Sequence, residues 1–538
     1  MSYIYDVLII GNGGAGLSAA IEAKKYSSKV IVISKTYPTS SQTCQAQGGI
    51  NAVLNDKIDS INNHILDTAK VAHKLENYEA IKYMCTNAKD TIKWLDDLGV
   101  PFSRNNQDEI AQRNFGAASY PRTCYSSDYT GLKILHTLFD TCLKENINFL
   151  NDHQVLSFIK NEETNTIKGI NLLNISDGVV SQIFAKSIII ASGGYGGLYH
   201  NYTTNSTATT GEVLNLALNI GCELENMEFV QFHPTTLKQN RILISESARG
   251  EGGYLIDQNG HRFIDELKPR DEVSRAIYTK IENGDKIYLD LRHLGIEKLK
   301  EIMPQEYKLV YDFTGLKLDI DLIEITPSAH YTMGGIKVDI DGKTNIKNLF
   351  ACGEAASNRV HGANRLGGNS LLEIITFGKL VGKNAGLNTN NITTFDTNIY
   401  KHILLEEKEN ISNIYKQPNR INFQDVKISL GKELFTHAGL FRKESELLSV
   451  LKKIKQWILE IKDMGVSDKS SIYNTDLKEF IEFKNMLELS SILIISALNR
   501  KESRGAHYRL DHSTSQKEFE LSTTVKKTNK TFEVELCN

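Results

Sequence analysis

The chain has 538 residues, enough for several domains, and its 41% apolar and 24% charged residues are those of a globular protein. A formal net charge of −3 leaves no basic footprint for nucleic acid, and seven cysteines without a C-x-x-C pair argue for reduced thiols in a cytoplasmic protein, against a disulfide framework or an iron–sulfur site within the chain. No apolar run reaches ~18 residues and the N-terminus enters a strand at once, so neither a membrane span nor a signal peptide is expected, and any membrane association must come through a partner.

Val7 to Ile10 is an apolar, β-branched run, as in a strand buried on both faces. Gly11, Gly13 and Gly16 then give G-x-G-x-x-G, and Leu17 to Lys25 reads as an Ala-rich helix. In such a turn the first glycine allows the tight bend, the second lets a pyrophosphate approach the backbone, and the third lets helix and strand pack closely. The phosphates sit at the positive helix N-terminus. A second strand, Val30 to Ser34, ends in Ser34-Lys35-Thr36 instead of the acid that usually holds ribose hydroxyls. That weakens a nicotinamide reading and fits FAD better.

Gln47-Gly48-Gly49, within Thr39 to Asn55, places bare backbone where something flat can approach. Glu76 to Leu98 and Tyr129 to Lys144 read as helices, and Gln154 to Ile175 as a hairpin around Asn161 to Thr166. Ser187 to Ala191 is a buried strand ending in a second glycine turn, Ser192-Gly193-Gly194, which suits a dinucleotide spread across a sheet crevice. From Glu228 polar loops take over, including Glu246 to Gly253. Tyr288 to Leu291, Pro327 to Gly335 and Ile336 to Asp339 continue a smaller segment. Asn348 to Cys352 is again a buried strand, so the middle reads as an insertion. Thr394 to Glu502 is helical in pattern, and the polar tail after Asp511 shows no clear core.

Several stretches coincide with one family. MEFVQFHPT (Met227 to Thr235), ESARGEGGYL (Glu246 to Leu255), PRDEVSRAI (Pro269 to Ile277), HYTMGG (His330 to Gly335) and HGANRLGGNSLLE (His361 to Glu373) occur in that family's order. Together they resemble the flavoprotein subunit of succinate dehydrogenases and fumarate reductases, with L-aspartate oxidase a close relative. The resemblance implies an α/β fold: a Rossmann-like FAD-binding domain interrupted by a small α+β capping domain, then a C-terminal helical domain. The expected boundaries are 1–232 and 342–390 for the FAD domain, 233–341 for the cap, 391–510 for the helices and 511–538 for the tail.

Moving hydride between flavin and the C–C bond of a dicarboxylate requires gripping the carboxylates, polarising one of them and supplying a proton opposite the flavin. Arginine suits the grip, because its planar fork meets a carboxylate bidentately. By resemblance, His233, Ser245, His330 and Arg365 bind the carboxylates, with Ser245 standing where the family has Thr. Glu246 belongs to the proton path and Arg270 is the proton-shuttling arginine. Read without the family, Arg270 is an ordinary ion pair at a helix start, His233 and His330 are core histidines, and Arg249 is as readily a structural partner of Glu251. For FAD the family implies Gly11, Gly13, Gly14, Ala15 and Gly16 at the pyrophosphate. Ser34, Lys35 and Thr36 lie near the adenosine, and Ser41, Gln42, Gln47, Gly48 and Gly49 beside the isoalloxazine. Glu354, Ser370 and Leu371 hold the ribityl and ring end, and Glu212 replaces a usual Asp. No metal site is expected.

Membrane-complex members attach FAD to a histidine just before the A-Q-G-G stretch. Here Gln42 stands there, and no His precedes His64. FAD is therefore expected to be non-covalent. The motifs Gln112 to Gly116, Arg122-Thr123, Leu135 to Phe139 and Glu502 to Tyr508 favour the respiratory subunits, which implies an iron–sulfur partner and, through it, a membrane quinone-reactive subunit. The missing His, the chain length and a short capping segment between Phe263 and Arg270 favour the oxidase. A flavin scaffold without turnover would leave all these pocket groups unused.

Overall fold

The computed structural model describes residues 4–528 and 531–537; residues 1–3 of the expected FAD domain and 529, 530 and 538 of the tail lie outside them. The first strand, β1 (Ile4–Ile10), leads through the glycine turn into helix α1 (Gly14–Lys24) and strand β2 (Val30–Ile33). β1 pairs in parallel with β2 on one side and with Val180–Ile190 on the other, which in turn pairs in parallel with Leu349–Ala351. The sequence alternation explains why this sheet has no wet face. Leu8, Ile10, Ile31, Ile33, Ile188 and Ile190 belong to one apolar cluster, and Val7, Ile9, Val30, Val32 and Ile189 to another. Each strand feeds two cores, so it must be apolar throughout.

The second of these cores also takes α1 and the long helix Asn369–Asn388, with Gly378, Gly382 and Gly386 of the latter set against Ala15, Ala19 and Ala23. This contact carries residues 361–371 back to the glycine turn across more than half the chain. The hairpin His153–Asn161/Thr166–Asn174 extends the sheet in antiparallel sense.

The inserted segment has its own antiparallel sheet, in the order Val230–Leu237, Ile323–Thr332, Ile287–Asp290 and Tyr254–Asp257, over a separate apolar cluster that includes Leu237, Leu255, Val273, Leu289 and Ile325. Four long helices follow, Lys401–Lys416, Phe423–His437, Glu444–Glu460 and Thr475–Asn499.

Two elements differ from the sequence reading. The stretch Glu76 to Leu98 is two helices, Tyr78–Thr86 and Ala88–Leu98, broken at Asn87. The tail is not coreless: Ser522–Thr528 and Thr531–Cys537 form a hairpin whose first strand pairs with Leu224–Glu225 and buries Val525 in the main core. Its alternation of apolar and polar residues is short and lies among lysines and threonines, so the strand signal is faint until its partner strand is known. None of the described helices is long and apolar enough to cross a membrane.

Candidate active site

A long cavity opens along the carboxyl end of the first sheet and runs to the edge of the inserted sheet. Its run from the glycine turn to the inserted sheet suits a dinucleotide with a small substrate at one end. One end is lined by Gly11, Gly13, Gly14 and Ala15. Gly11 holds φ +112°, and a Cβ there would lie 2.2 Å from the Ala191 carbonyl oxygen, so only glycine fits. Gly16 does not line the cavity. It lies under the turn, where a Cβ would meet the Gly11 carbonyl oxygen at 2.0 Å.

Ser34, Lys35, Thr36 and Glu212 line the cavity beyond this turn. Lys35 Nζ reaches Glu212 at 2.5 Å and Glu482 at 2.7 Å. Burial alone would lower the lysine, but these two carboxylates raise it above its ordinary value. Glu482 comes from the helix Thr475–Asn499, and no local signal in the sequence marks it.

Ser41, Gln42, Gln47, Gly48, Gly49, Glu354, Ser370 and Leu371 line the middle of the cavity. The Gln42 amide is engaged on both sides: Oε1 accepts from Ser206 N at 2.9 Å and Nε2 donates to the Thr204 carbonyl at 3.5 Å. Glu354 Oε1 accepts from Thr332 N at 2.9 Å, and burial pushes the Glu354 carboxyl up to about 7. Ser41 Oγ, Gln47 Oε1 and Ser192 Oγ are buried polar atoms with no protein partner, all on residues that line the cavity. Such orphans are what a polar cofactor satisfies.

The far end gathers His233, Ser245, Glu246, Arg270, His330 and Arg365, all lining the same cavity. The paired strands Val230–Leu237 and Ile323–Thr332 carry the histidines, and register shifts flank Phe232 and His233. Bulges of this kind re-aim side chains. The two imidazole rings stand 4.9 Å apart. His330 Nδ1 meets the Thr204 hydroxyl at 2.8 Å and His233 Nδ1 the Thr235 carbonyl at 3.2 Å. Burial, then the Arg270 charge, pushes both far below the ordinary histidine value, so both are neutral.

Arg270 heads the helix Arg270–Glu282 but does not pair with an acid in its own first turn. Its Nη2 and Nε reach Glu246 Oε2 at 2.6 and 3.0 Å, and Nη1 donates to Gln231 Oε1 at 3.0 Å. Gln231 is pinned in turn by Asn364 Oδ1 and the Arg365 carbonyl, at 2.7 and 2.8 Å. Burial would raise Glu246, but Arg270 and Arg249 hold it below its ordinary value, so it is a carboxylate. Arg249 turns to the Glu266 carbonyl at 2.5 Å and to Glu246 Oε1 at 3.6 Å, and not to Glu251.

Arg365 lies 4.3 Å from the centre of the Tyr331 ring, with Nε buried and unpartnered. Burial and the neighbouring Arg270 push its guanidinium down to about 9. Three cations, Arg249, Arg270 and Arg365, act on the single carboxylate of Glu246, so this end of the cavity is short of negative charge.

The profile described as "FAD binding domain" matches residues 6–371, and that described as "Fumarate reductase flavoprotein C-term" matches residues 427–537. The fumarate reductase flavoprotein subunit of Proteus vulgaris is 35% identical over 95% of this chain and 90% of its own. The chain belongs to the fumarate reductase/succinate dehydrogenase flavoprotein family. The succinate dehydrogenase flavoprotein subunit of Rickettsia bellii is 36% identical over 94% of this chain and 90% of its own. A solved quinol–fumarate reductase chain with menaquinol molecules superposes at TM-score 0.96, with 34% identity, over 100% of this chain and 98% of its own.

As a member of this family the chain carries an FAD-binding domain within an α/β architecture, and the glycine turn, the orphaned hydroxyls and the cavity length fit that cofactor. Besides Glu482, residue-by-residue reading missed Thr43, whose hydroxyl accepts from Gly14 N at 3.0 Å, and Phe115 and Ser192, which also line the cavity. Thr43 sits inside the T-S-S-Q-T stretch already singled out. Phe115 belongs to a motif read for the family, and Ser192 to the second glycine turn, which suits a dinucleotide but in which no single residue is assigned to it.

Proposed function

We propose that the chain is the flavoprotein subunit of a fumarate reductase/succinate dehydrogenase, moving hydride between FAD and a C4 dicarboxylate. The observation that carries this is Arg270, hydrogen-bonded by Glu246 and Gln231, at the end of the cavity that His233, His330, Ser245 and Arg365 also line. FAD, when bound, accepts or donates the hydride. Arg365 grips one substrate carboxylate, since its buried cation lacks an anionic partner. His233, His330 and Ser245 orient the other end as neutral hydrogen-bonding groups, which bind without adding a proton of their own. Arg270 holds the proton that moves opposite the flavin, and the Glu246 carboxylate sets its position. Burial of all these groups excludes water and strengthens each interaction.

The identities weigh for this reading against L-aspartate oxidase. Two further points belong to the proposal. FAD is held without a covalent bond, because Gln42 stands where a histidine is needed and its amide is already engaged. Electrons pass to an iron–sulfur partner and through it to a membrane quinone-reactive subunit, because the chain's cysteines have no cluster spacing. The protein then works in electron transport, in anaerobic respiration or the tricarboxylic acid cycle, on the cytoplasmic face of the inner membrane. The division at 233, 342, 391 and 511 is kept as the functional division of the chain.

The test uses purified holoprotein. Fumarate-dependent oxidation of reduced viologen, with no peroxide from L-aspartate and oxygen, is expected. Peroxide and iminoaspartate without viologen oxidation would overturn the reading.

A further inference from the structure

Beneath Ser245 lies a buried pair of carboxyls that the chemistry above does not use. Glu306 sits at the start of the helix Pro304–Thr314 of the inserted segment, and Asp128 just before the helix Thr130–Lys144 of the FAD domain. Glu306 Oε1 accepts from Ser245 N at 2.6 Å, and Asp128 Oδ2 accepts from Glu306 N at 2.8 Å. One residue thus touches both the cavity wall and the opposite domain. Glu306 is 1% exposed and Asp128 fully buried. The second oxygens of both, Glu306 Oε2 and Asp128 Oδ1, are buried with no hydrogen-bond partner.

Two buried carboxylates joined through the Glu306 backbone N–H, each with an orphaned oxygen, are costly. The cation that faces them is Arg113, whose Nε and Nη2 donate to the carbonyls of Gly48 and Ser127 and whose guanidinium lies 4.4 Å from the Tyr125 ring, while its Nη1 is buried without a hydrogen-bond partner. Glu251, Tyr125 and Tyr129 are the other titratable groups around this cluster. We propose that Glu306 is a positioning residue for the dicarboxylate end of the cavity, and that it and Asp128 hold one proton between them, which keeps the inserted segment seated and Ser245 in place. This rests on the dicarboxylate reading above.

The proton has a working range near neutrality. Burial, then the Asp128 charge, pushes Glu306 up to about 7, and burial pushes Asp128 up to about 6. A raised carboxyl favours the folded form below its unfolded value, and that advantage is lost as pH rises through the folded value. Above pH ~7 both groups are charged and repel, so Glu306 still accepts from Ser245 N but the repulsion works against the seating of the inserted segment that places this bond.

The test compares wild-type, E306Q and E306L holoenzyme with fumarate, a dianion throughout, between pH 6.5 and 8.5. In the wild type KM is expected to rise about tenfold over this range while kcat changes less than about threefold. In E306Q, which keeps the acceptor and has no charge to gain, the KM ratio stays within about twofold. E306L, which has no acceptor, raises KM about tenfold at every pH. Tm over the same range falls in the wild type and is flatter in E306Q and in D128N. An E306Q profile that superposes on the wild type, in KM and in Tm, would overturn the proposal. Absence of fumarate turnover in the wild type would instead remove the dicarboxylate reading, and the Tm comparison would still decide whether the pair shares a proton.

Discussion

Arg270 places two donors on a single oxygen of Glu246, Nη2 at 2.6 Å and Nε at 3.0 Å, while its remaining arm holds Gln231 at 3.0 Å. The guanidinium is thus fixed in plane by two separate elements and has no freedom to swing away from the cavity. In the role proposed for Arg270, this little freedom means that a proton would leave from one geometry, which is what positioned acid catalysis requires.

Replacing Arg270 by Ala is expected to lower dicarboxylate turnover by about 10³-fold, within the range of a lost positioned acid. Bound FAD, read from its visible spectrum, is retained. Arg270→Lys should recover little, since an ammonium cannot hold Glu246 and Gln231 together. Turnover of Arg270→Ala at the parental rate would remove Arg270 from the proton route.

Arg365→Ala should raise KM by about 10²-fold, the loss of roughly 2.7 kcal/mol of charged hydrogen bonding, with a smaller change in kcat. Steady-state kinetics with fumarate over a wide concentration range checks this. An unchanged KM would mean that the carboxylate grip lies elsewhere.

His233 and His330 are neutral when folded, and their contribution to stability follows from that. A depressed imidazole stabilises the fold fully above its unfolded value of about 6.5, and the contribution falls away as pH drops below it. Between pH 7 and pH 5 this contribution is lost, against the opposite pull of the raised carboxyls Glu306 and Asp128, so the histidines show in the difference between wild type and variant. His330→Asn should lose less Tm than the wild type, by on the order of a few °C. Differential scanning fluorimetry across that range decides it, and parallel curves would refute the assignment.

Acid precipitation of the holoprotein should leave flavin in the supernatant and a colourless pellet. The Gln42 amide ties the 204–206 loop, and Thr204 in turn meets His330 Nδ1 at 2.8 Å. Gln42→Ala should accordingly raise KM about fivefold through the loosened His330, an effect of about 1 kcal/mol for one lost hydrogen-bond link. A yellow pellet would show a covalent bond.

Gly11→Ala should abolish flavin binding or folding, because its Cβ would lie 2.2 Å from a backbone oxygen at φ +112°. The readout is yield of yellow protein. Normal yield would show that the turn has slack that these contacts deny.

The alternation in β1 and β2 and the G-x-G-x-x-G turn were legible because they are local: a strand that feeds two cores is apolar at every position, and a turn at positive φ needs glycine whatever surrounds it. The polar residues of the far end were legible only as motifs. His233, Glu246, Arg270, His330 and Arg365 are scattered over more than a hundred residues, and taken singly each suits an ordinary structural role. Arg270 shows the limit well. Its place at a helix start was readable, but its partner lies in another element, 24 residues away. Glu482 and Glu306 carried no local signal, since one acid on a helix looks like any other until the surface it meets is known.

The sequence by itself therefore determined the dinucleotide turn, the interrupted α/β order and the absence of a histidine near Gln42, because each depends on backbone conformation, periodicity or the identity of one residue. Tertiary structure alone decided that Lys35 is caught between Glu212 and Glu482, that Glu246 holds Arg270, and that Glu306 meets Ser245 against Asp128. Those outcomes turn on charge in buried surroundings, where a group's state depends on neighbours brought together only when the sheets and helices pack.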